Sequence, residues 1–253
     1  MMRSSLLALL VVRLAVVIAP LQATIDFNFE GEIANEQKPL FVSLGSWCEI
    51  ALSLRDCQLR QSAFPFDWLV TGDHEGFLNL FYTDFQYFTA EDHIIQIPDL
   101  TQNPNSLKNT FYNIIFYHEG AGLDAYEEID KLQKQLELFK IKYTRRIARF
   151  RQLRDYPGKV FFIRSLWSED GSHFIKNQEQ AKEIKDALDR YFPSLDFTLV
   201  LIKYTDVNAP DIVGLEGVVE YKIERNQHQQ VYDDLLLLEF AKVGNDLHTV
   251  DGF

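Results

Sequence analysis

Two cysteines in 253 residues, Cys48 and Cys57, exclude a disulfide framework. On a single helix, with its rise of 1.5 Å per residue, nine positions span about 13 Å. A disulfide needs Cα atoms within about 7 Å, so two thiols are expected. Basic residues are also scarce: 25 Lys and Arg face 37 Asp and Glu, a formal net charge of −12. Nucleic acids and anionic membrane surfaces call for clustered Lys and Arg, so neither is an expected partner. No H-x-x-x-H, H-E-x-x-H or C-x-x-C pattern occurs, and no metal is expected. No G-x-G-x-x-G or P-loop pattern follows a strand, which counts against the common nucleotide modes, and no cofactor is expected.

What the chain does have begins with an apolar run, Leu6 to Leu21, behind a short basic start and before the small residue Ala23. That layout reads as a secretory signal over residues 1–23, cleaved after Ala23. Arg13 divides the run and Pro20 breaks it, so neither half approaches the roughly 20 apolar residues of a spanning helix. Export to a periplasm or medium is the expectation, with a membrane anchor as the alternative. A polar segment, residues 24–38, then leads into residues 39–253, read as a single domain. Hydrophobic residues make up 47% of the chain, enough for one sizeable core.

Within that domain apolar stretches alternate with amphipathic ones. Leu40 to Leu44, Tyr112 to Tyr117, Lys159 to Arg164, Phe197 to Lys203 and Val218 to Ile223 read as strands. Helices are expected from about Trp47 to Leu59, Asp124 to Asp155, Gln178 to Tyr191 and Val231 to Val243. Asp99 to Asn109 reads as polar and turn-forming. Apolar strands separated by helices pair in parallel with both faces covered. The expected fold is α/β: a single doubly wound, mainly parallel sheet flanked by helices in three layers.

Chemistry concentrates where the first strand meets the first helix. Ser46-Trp47-Cys48-Glu49 fits a capping box, Ser46 at the N-cap and Glu49 at the third helical position. Cys48 would then lie among amides with no intrahelical partner, at the positive end of a helix dipole. Such a setting favours thiolate over thiol and can lower a cysteine pKa from about 8.5 toward neutrality. The bland alternative is a small buried residue at a strand–helix junction. Cys57 continues the apolar face of the helix and reads as packing.

A thiol nucleophile needs a histidine, oriented in turn by a third group. His118 follows a strand candidate, as Cys48 does, and parallel neighbours would bring both to one sheet edge. His173 is the reserve base, and His74, His93 and His228 read as surface loop residues. Asp67, in the apolar pentad PFDWL, is the expected orienting carboxylate. Buried there, it requires a partner: His118, Arg55, Arg60 or backbone amides. Glu119 is the other candidate.

The segment SLGSWCEIALSLRDCQLRQSAFPFDWL, the histidine of IIFYHEG, KYTRRIARF and KVFFIR together resemble a family of bacterial proteins of unknown function named as papain-like cysteine peptidases. By the resemblance Cys48 matches the family's nucleophile and His118 its histidine. Family members commonly follow that histidine with Asp and Phe, where this chain has Glu119 and Gly120. Arg146 and Arg164 match recurrent arginines, for which ion pairing with the long helix is the plain expectation. A papain fold opens on a cysteine-bearing helix and carries its histidine on an antiparallel β domain; the alternation in the C-terminal half argues instead for the α/β sheet.

The resulting function is a cysteine-nucleophile hydrolase, a peptidase or an acyl transferase-like enzyme, acting on a peptide or small acyl substrate. Cys48 would attack a carbonyl with His118 as general base. The alternative is a non-catalytic glycan- or nucleotide-binding domain, or a glycosyltransferase-like one, using the same strand edge. A serine hydrolase built from Ser43 or Ser46 with the histidine of GNDLH, Gly244 to His248, is a more distant reading.

Overall fold

A computed structural model describes residues 38–97, 106–119, 129–166, 177–206 and 211–248, all within the unit Gln37–Phe253. The signal-like residues 1–23, the segment 24–37 and His173 lie outside the described residues.

The domain opens with β1 (Leu40–Ser43) and α1 (Glu49–Asp56), followed by β2 (Leu69–Val70), α2 (His74–Tyr82), β3 (Ile94–Ile97), β4 (Ser106–Asn109) and β5 (Ile114–Phe116). Next come α3 (Ile129–Gln152), β6 (Val160–Ser165), α4 (Gln178–Tyr191), β7 (Phe197–Tyr204), β8 (Val218–Ile223) and α5 (His228–His248). β1, β6, β7 and β8 form a four-stranded sheet in that order, every pair parallel. The register sets Val42 against Phe162 and Phe162 against Leu199.

β1, β6 and β7 are apolar runs because both their faces are buried, whereas β8 at the sheet edge is only partly buried. Leu40, Val42, Phe162 and Leu199 join a core with Phe139, Tyr143, Ile147 and Phe150 of α3 and with Ala181, Ile184 and Leu188 of α4. Their alternating neighbours Phe41, Phe161, Ile163 and Val200 pack with Ile50 and Leu54 of α1 and with Val231, Tyr232 and Leu235 of α5. Phe150 meets seven rings: Phe64, Phe66, Phe81, Phe85, Phe162, Tyr191 and Phe192. None of the described helices is long and apolar enough to cross a membrane.

The expectation of an α/β fold with a mainly parallel sheet is met, and that of one sheet alone is not. Between α1 and α3 the chain builds a second sheet, ordered β2-β5-β4-β3 and antiparallel throughout. Tyr112 to Tyr117 contributes β5 to this sheet and is not a parallel neighbour of β1. The polar stretch expected to be turn supplies β4, Ser106–Asn109. Strands of two to four residues are too short for an alternating pattern to declare itself. α2 fastens to this sheet's loops through Gly76, where an added Cβ would lie 1.8 Å from the Tyr112 carbonyl oxygen.

Candidate active site

The turn after β1 is held at every residue. Gly45 and Ser46 both adopt left-handed backbone, with φ of 72° and 77°. At Gly45 a Cβ would also come within 3.1 Å of the Phe66 carbonyl oxygen. For Ser46 the conformation costs about 1–2 kcal/mol and persists only where the surroundings over-determine it. They do: its amide donates to Thr71 Oγ1 at 3.1 Å, its hydroxyl donates to the Ser165 carbonyl at 2.5 Å, and its own carbonyl accepts from the Thr71 amide at 3.3 Å.

Ser46 is therefore not the N-cap. Cys48 holds that position, with Glu49 the first helical residue, and the amide of Leu52 donates to the Cys48 carbonyl at 3.0 Å. The capping box is corrected because the Ser46 hydroxyl is committed across the sheet to β6. Cys48 sits half-buried at the N-terminus of α1, beyond the carboxyl ends of the parallel strands. Neither it nor Cys57 is in a disulfide, as expected. Cys57 packs partly against the α1 and α5 core, and burial raises its pKa, with Asp233 and Asp56 adding to the rise.

Arg164 underlies the turn and is fully buried. Its guanidinium donates to the Leu44 carbonyl at 2.8 Å, to Thr71 Oγ1 at 3.0 Å and to the Thr71 carbonyl at 2.8 Å, and lies 3.9 Å from the centre of the Phe77 ring. Burial lowers its pKa to about 9. These described partners are neutral oxygens and a ring, and through them Arg164 joins β6, the turn after β1 and the segment after β2. The expected pairing with the long helix is not what these bonds provide.

His118 follows β5 and is exposed. The edge of its ring meets Trp68 at a centroid distance of 5.6 Å and an interplanar angle of 89°. Tyr117, next in sequence to His118, stands 5.3 Å from Trp47, next in sequence to Cys48. The cysteine-bearing turn and the histidine-bearing strand end thus meet through their aromatic neighbours, although they belong to different sheets. The expectation that parallel pairing unites them gives way to this contact.

The two candidate carboxylates are engaged elsewhere. Asp67 is buried and accepts from Arg60 Nε at 3.0 Å, Arg60 Nη2 at 2.5 Å and the Phe64 amide at 3.2 Å. Burial raises its pKa and Arg60 opposes the rise. Arg60 in turn lies over the Trp68 ring at 5.6 Å. Among the described residues, Asp67 is linked to His118 through Arg60 and Trp68. Glu119 accepts from Lys142 and, at 3.3 Å, from the Tyr143 hydroxyl, both on α3.

Sequence reasoning missed a second polar group at the same strand edge. His228, expected in a surface loop, is 6% exposed at the start of α5. Its Nε2 is 3.0 Å from the Tyr204 hydroxyl, and burial lowers its pKa to about 4. Tyr204, the last residue of β7, is also hydrogen-bonded to Glu49 and raised in pKa, first by burial and then by that carboxylate. Burial raises the Glu49 pKa too, against the Tyr204 bond and Arg225, whose Nη1 is 3.6 Å away. The i, i+4 pair His228 and Tyr232, continuing the apolar positions Val231 and Leu235, was the available signal. His74 likewise leaves the surface group: it starts α2 and bonds Glu183 at 2.7 Å. Ser43 and Ser46 are both buried, and GNDLH lies within α5. Among the described residues no group of three or more His, Cys, Asp or Glu could hold a metal ion.

The site thus sets a cysteine at a helix start in an α/β domain and a histidine at the rim of an antiparallel sheet. The chain belongs to the family described as “Putative papain-like cysteine peptidase (DUF1796)”, whose model matches residues 39–207. That span holds Cys48, Asp67, His118, Arg146, Arg164 and Tyr204 and ends before His228. An uncharacterized protein of Acanthamoeba polyphaga mimivirus is 25% identical over 165 residues, covering 59% of this chain and 69% of the viral one. No solved structure matches the chain.

Proposed function

We propose that the protein is a cysteine-nucleophile hydrolase in which Cys48 attacks a carbonyl carbon of a peptide or small acyl substrate. The observation that carries this reading is the contact of Trp47 with Tyr117, which joins the segments bearing Cys48 and His118. His118 takes the thiol proton as the carbon–sulfur bond forms and returns it to the leaving group; water then cleaves the thioester. Amides at the start of α1 face the developing oxyanion. Trp68, held by Arg60 and so by Asp67, orients the imidazole. Export rests on residues 1–23, and N-terminal sequencing of material recovered outside the cell should begin at Thr24.

The test is the pH dependence of iodoacetamide alkylation at Cys48, resolved from Cys57 by peptide mapping. An apparent pKa well below 8.5 that rises in His118→Ala supports the pair. A rate equal to that of a free thiol peptide and indifferent to His118 sinks it. Sugar-nucleotide binding that persists in Cys48→Ala would move the reading to the glycosyltransferase-like alternative.

A further inference from the structure

Arg146, on α3, is 9% exposed, and its Nη1 is buried with no hydrogen-bond partner among the described residues. Its guanidinium lies over the Tyr143 ring at 5.1 Å, within the field of Asp67. A buried guanidinium is ordinarily paired or fully hydrogen-bonded, because an unmet N–H costs its hydration. The surroundings deepen the imbalance. Arg60, Lys142 and Arg146 stand here with two carboxylates, Asp67 and Glu119, and Arg149 lies beside them. Arg60 is committed to Asp67 and Lys142 to Glu119, while Arg149 donates to the Ala63 carbonyl. Burial lowers the Arg149 pKa, with Arg145 and Arg146 adding to the fall and Asp67 opposing it. This cluster stands in a chain of net charge −12. It borders Trp68, whose ring contacts both Arg60 and His118.

We propose that Arg146, flanked by Arg60 and Arg149, forms an anion subsite on the His118 side of the site, taking a carboxylate or phosphate group of the substrate. A planar guanidinium with an unused N–H suits paired anionic oxygens better than an ammonium does. Assigning the anion to a substrate rests on the hydrolase reading; the anion site itself does not.

The experiment is a thermal-shift titration of the full chain with inorganic phosphate and, separately, with acetate, sodium chloride holding ionic strength constant. The wild type should show a saturable rise in Tm of a few degrees, as a ligand confined to the folded state produces. Phosphate and acetate acting alike identify a shared oxyanion site; one acting alone names the source. Arg146→Met should abolish the saturable part. Should that variant fail to fold, Arg146→Lys should retain binding at least fivefold weaker. Cys48→Ser should keep the shift unchanged, so a failure of the thiol chemistry leaves this assignment standing. No saturable effect in the wild type, or one that survives in Arg146→Met or keeps its affinity in Arg146→Lys, overturns the proposal.

Discussion

Trp47 and Tyr117 touch with ring centroids 5.3 Å apart, and each is one residue from a candidate catalytic side chain. They tie the turn after β1 to the antiparallel sheet, so they fix how the thiol and the imidazole segments face each other. Tyr117→Ala should leave the fold intact by circular dichroism. It should lower the His118-dependent part of Cys48 alkylation about tenfold, since small misplacements carry large rate costs. Unchanged alkylation would assign the contact to packing alone.

Arg164 satisfies Leu44 and Thr71 from a fully buried position. Arg164→Ala should destabilise the domain by roughly 3–5 kcal/mol, because it opens a cavity and strands buried acceptors. Arg164→Lys retains charge but cannot fork between the two carbonyls, and should recover only part of the loss. Urea unfolding of the three proteins checks the order.

His228 provides a pH signature. Its pKa of about 4 in the fold lies below the value near 6.5 of an unfolded histidine. The stability it confers is complete above about pH 6.5 and is lost as the pH falls toward 4, because the unfolded chain takes up the proton first. At 1.36 kcal/mol per pH unit the loss amounts to roughly 3 kcal/mol. Between pH 7.5 and 4.5 the wild type should therefore lose more stability than His228→Gln. Equal losses would mean that the ring titrates as it does in water.

Gly76 gives the packing test. Gly76→Ala would drive a methyl group into the Tyr112 carbonyl, which is backbone and cannot swing aside. A loss above the 1–3 kcal/mol typical of overpacking is expected, with no gain from the better helix former. A stabilised variant would mean that α2 and the turn at Tyr112 separate easily.

β1, β6 and β7 were legible because each is an apolar run set off by amphipathic helices, a signal set by burial of both faces. Cys48 stood out because the glycine turn at Gly45 and the start of α1 bracket it, although the capping box that first placed it was misassigned to Ser46. Asp67 was legible as a group in need of a partner, and Arg60 was among those its burial called for. β5 was read as a strand, but its antiparallel sheet was not legible, since β2 spans only two residues and β4 lies in a polar stretch. The Ser46 cap failed for another reason: Ser165, the acceptor that claims its hydroxyl, is 119 positions away. His228 was missed because its polar neighbours Asn226, Gln227 and Gln229 outweighed the helical period that begins with it.

The same clasp has a meaning in time. Cys48 leaves the ribosome long before Ser165, Arg164 or Tyr204 exist to hold its turn and helix. A contact of that sequence span forms late in folding and only after its loop has closed. On this account the nascent protein carries an ordinary thiol, and the setting around Cys48 is complete only once both β6 and β7 have joined β1.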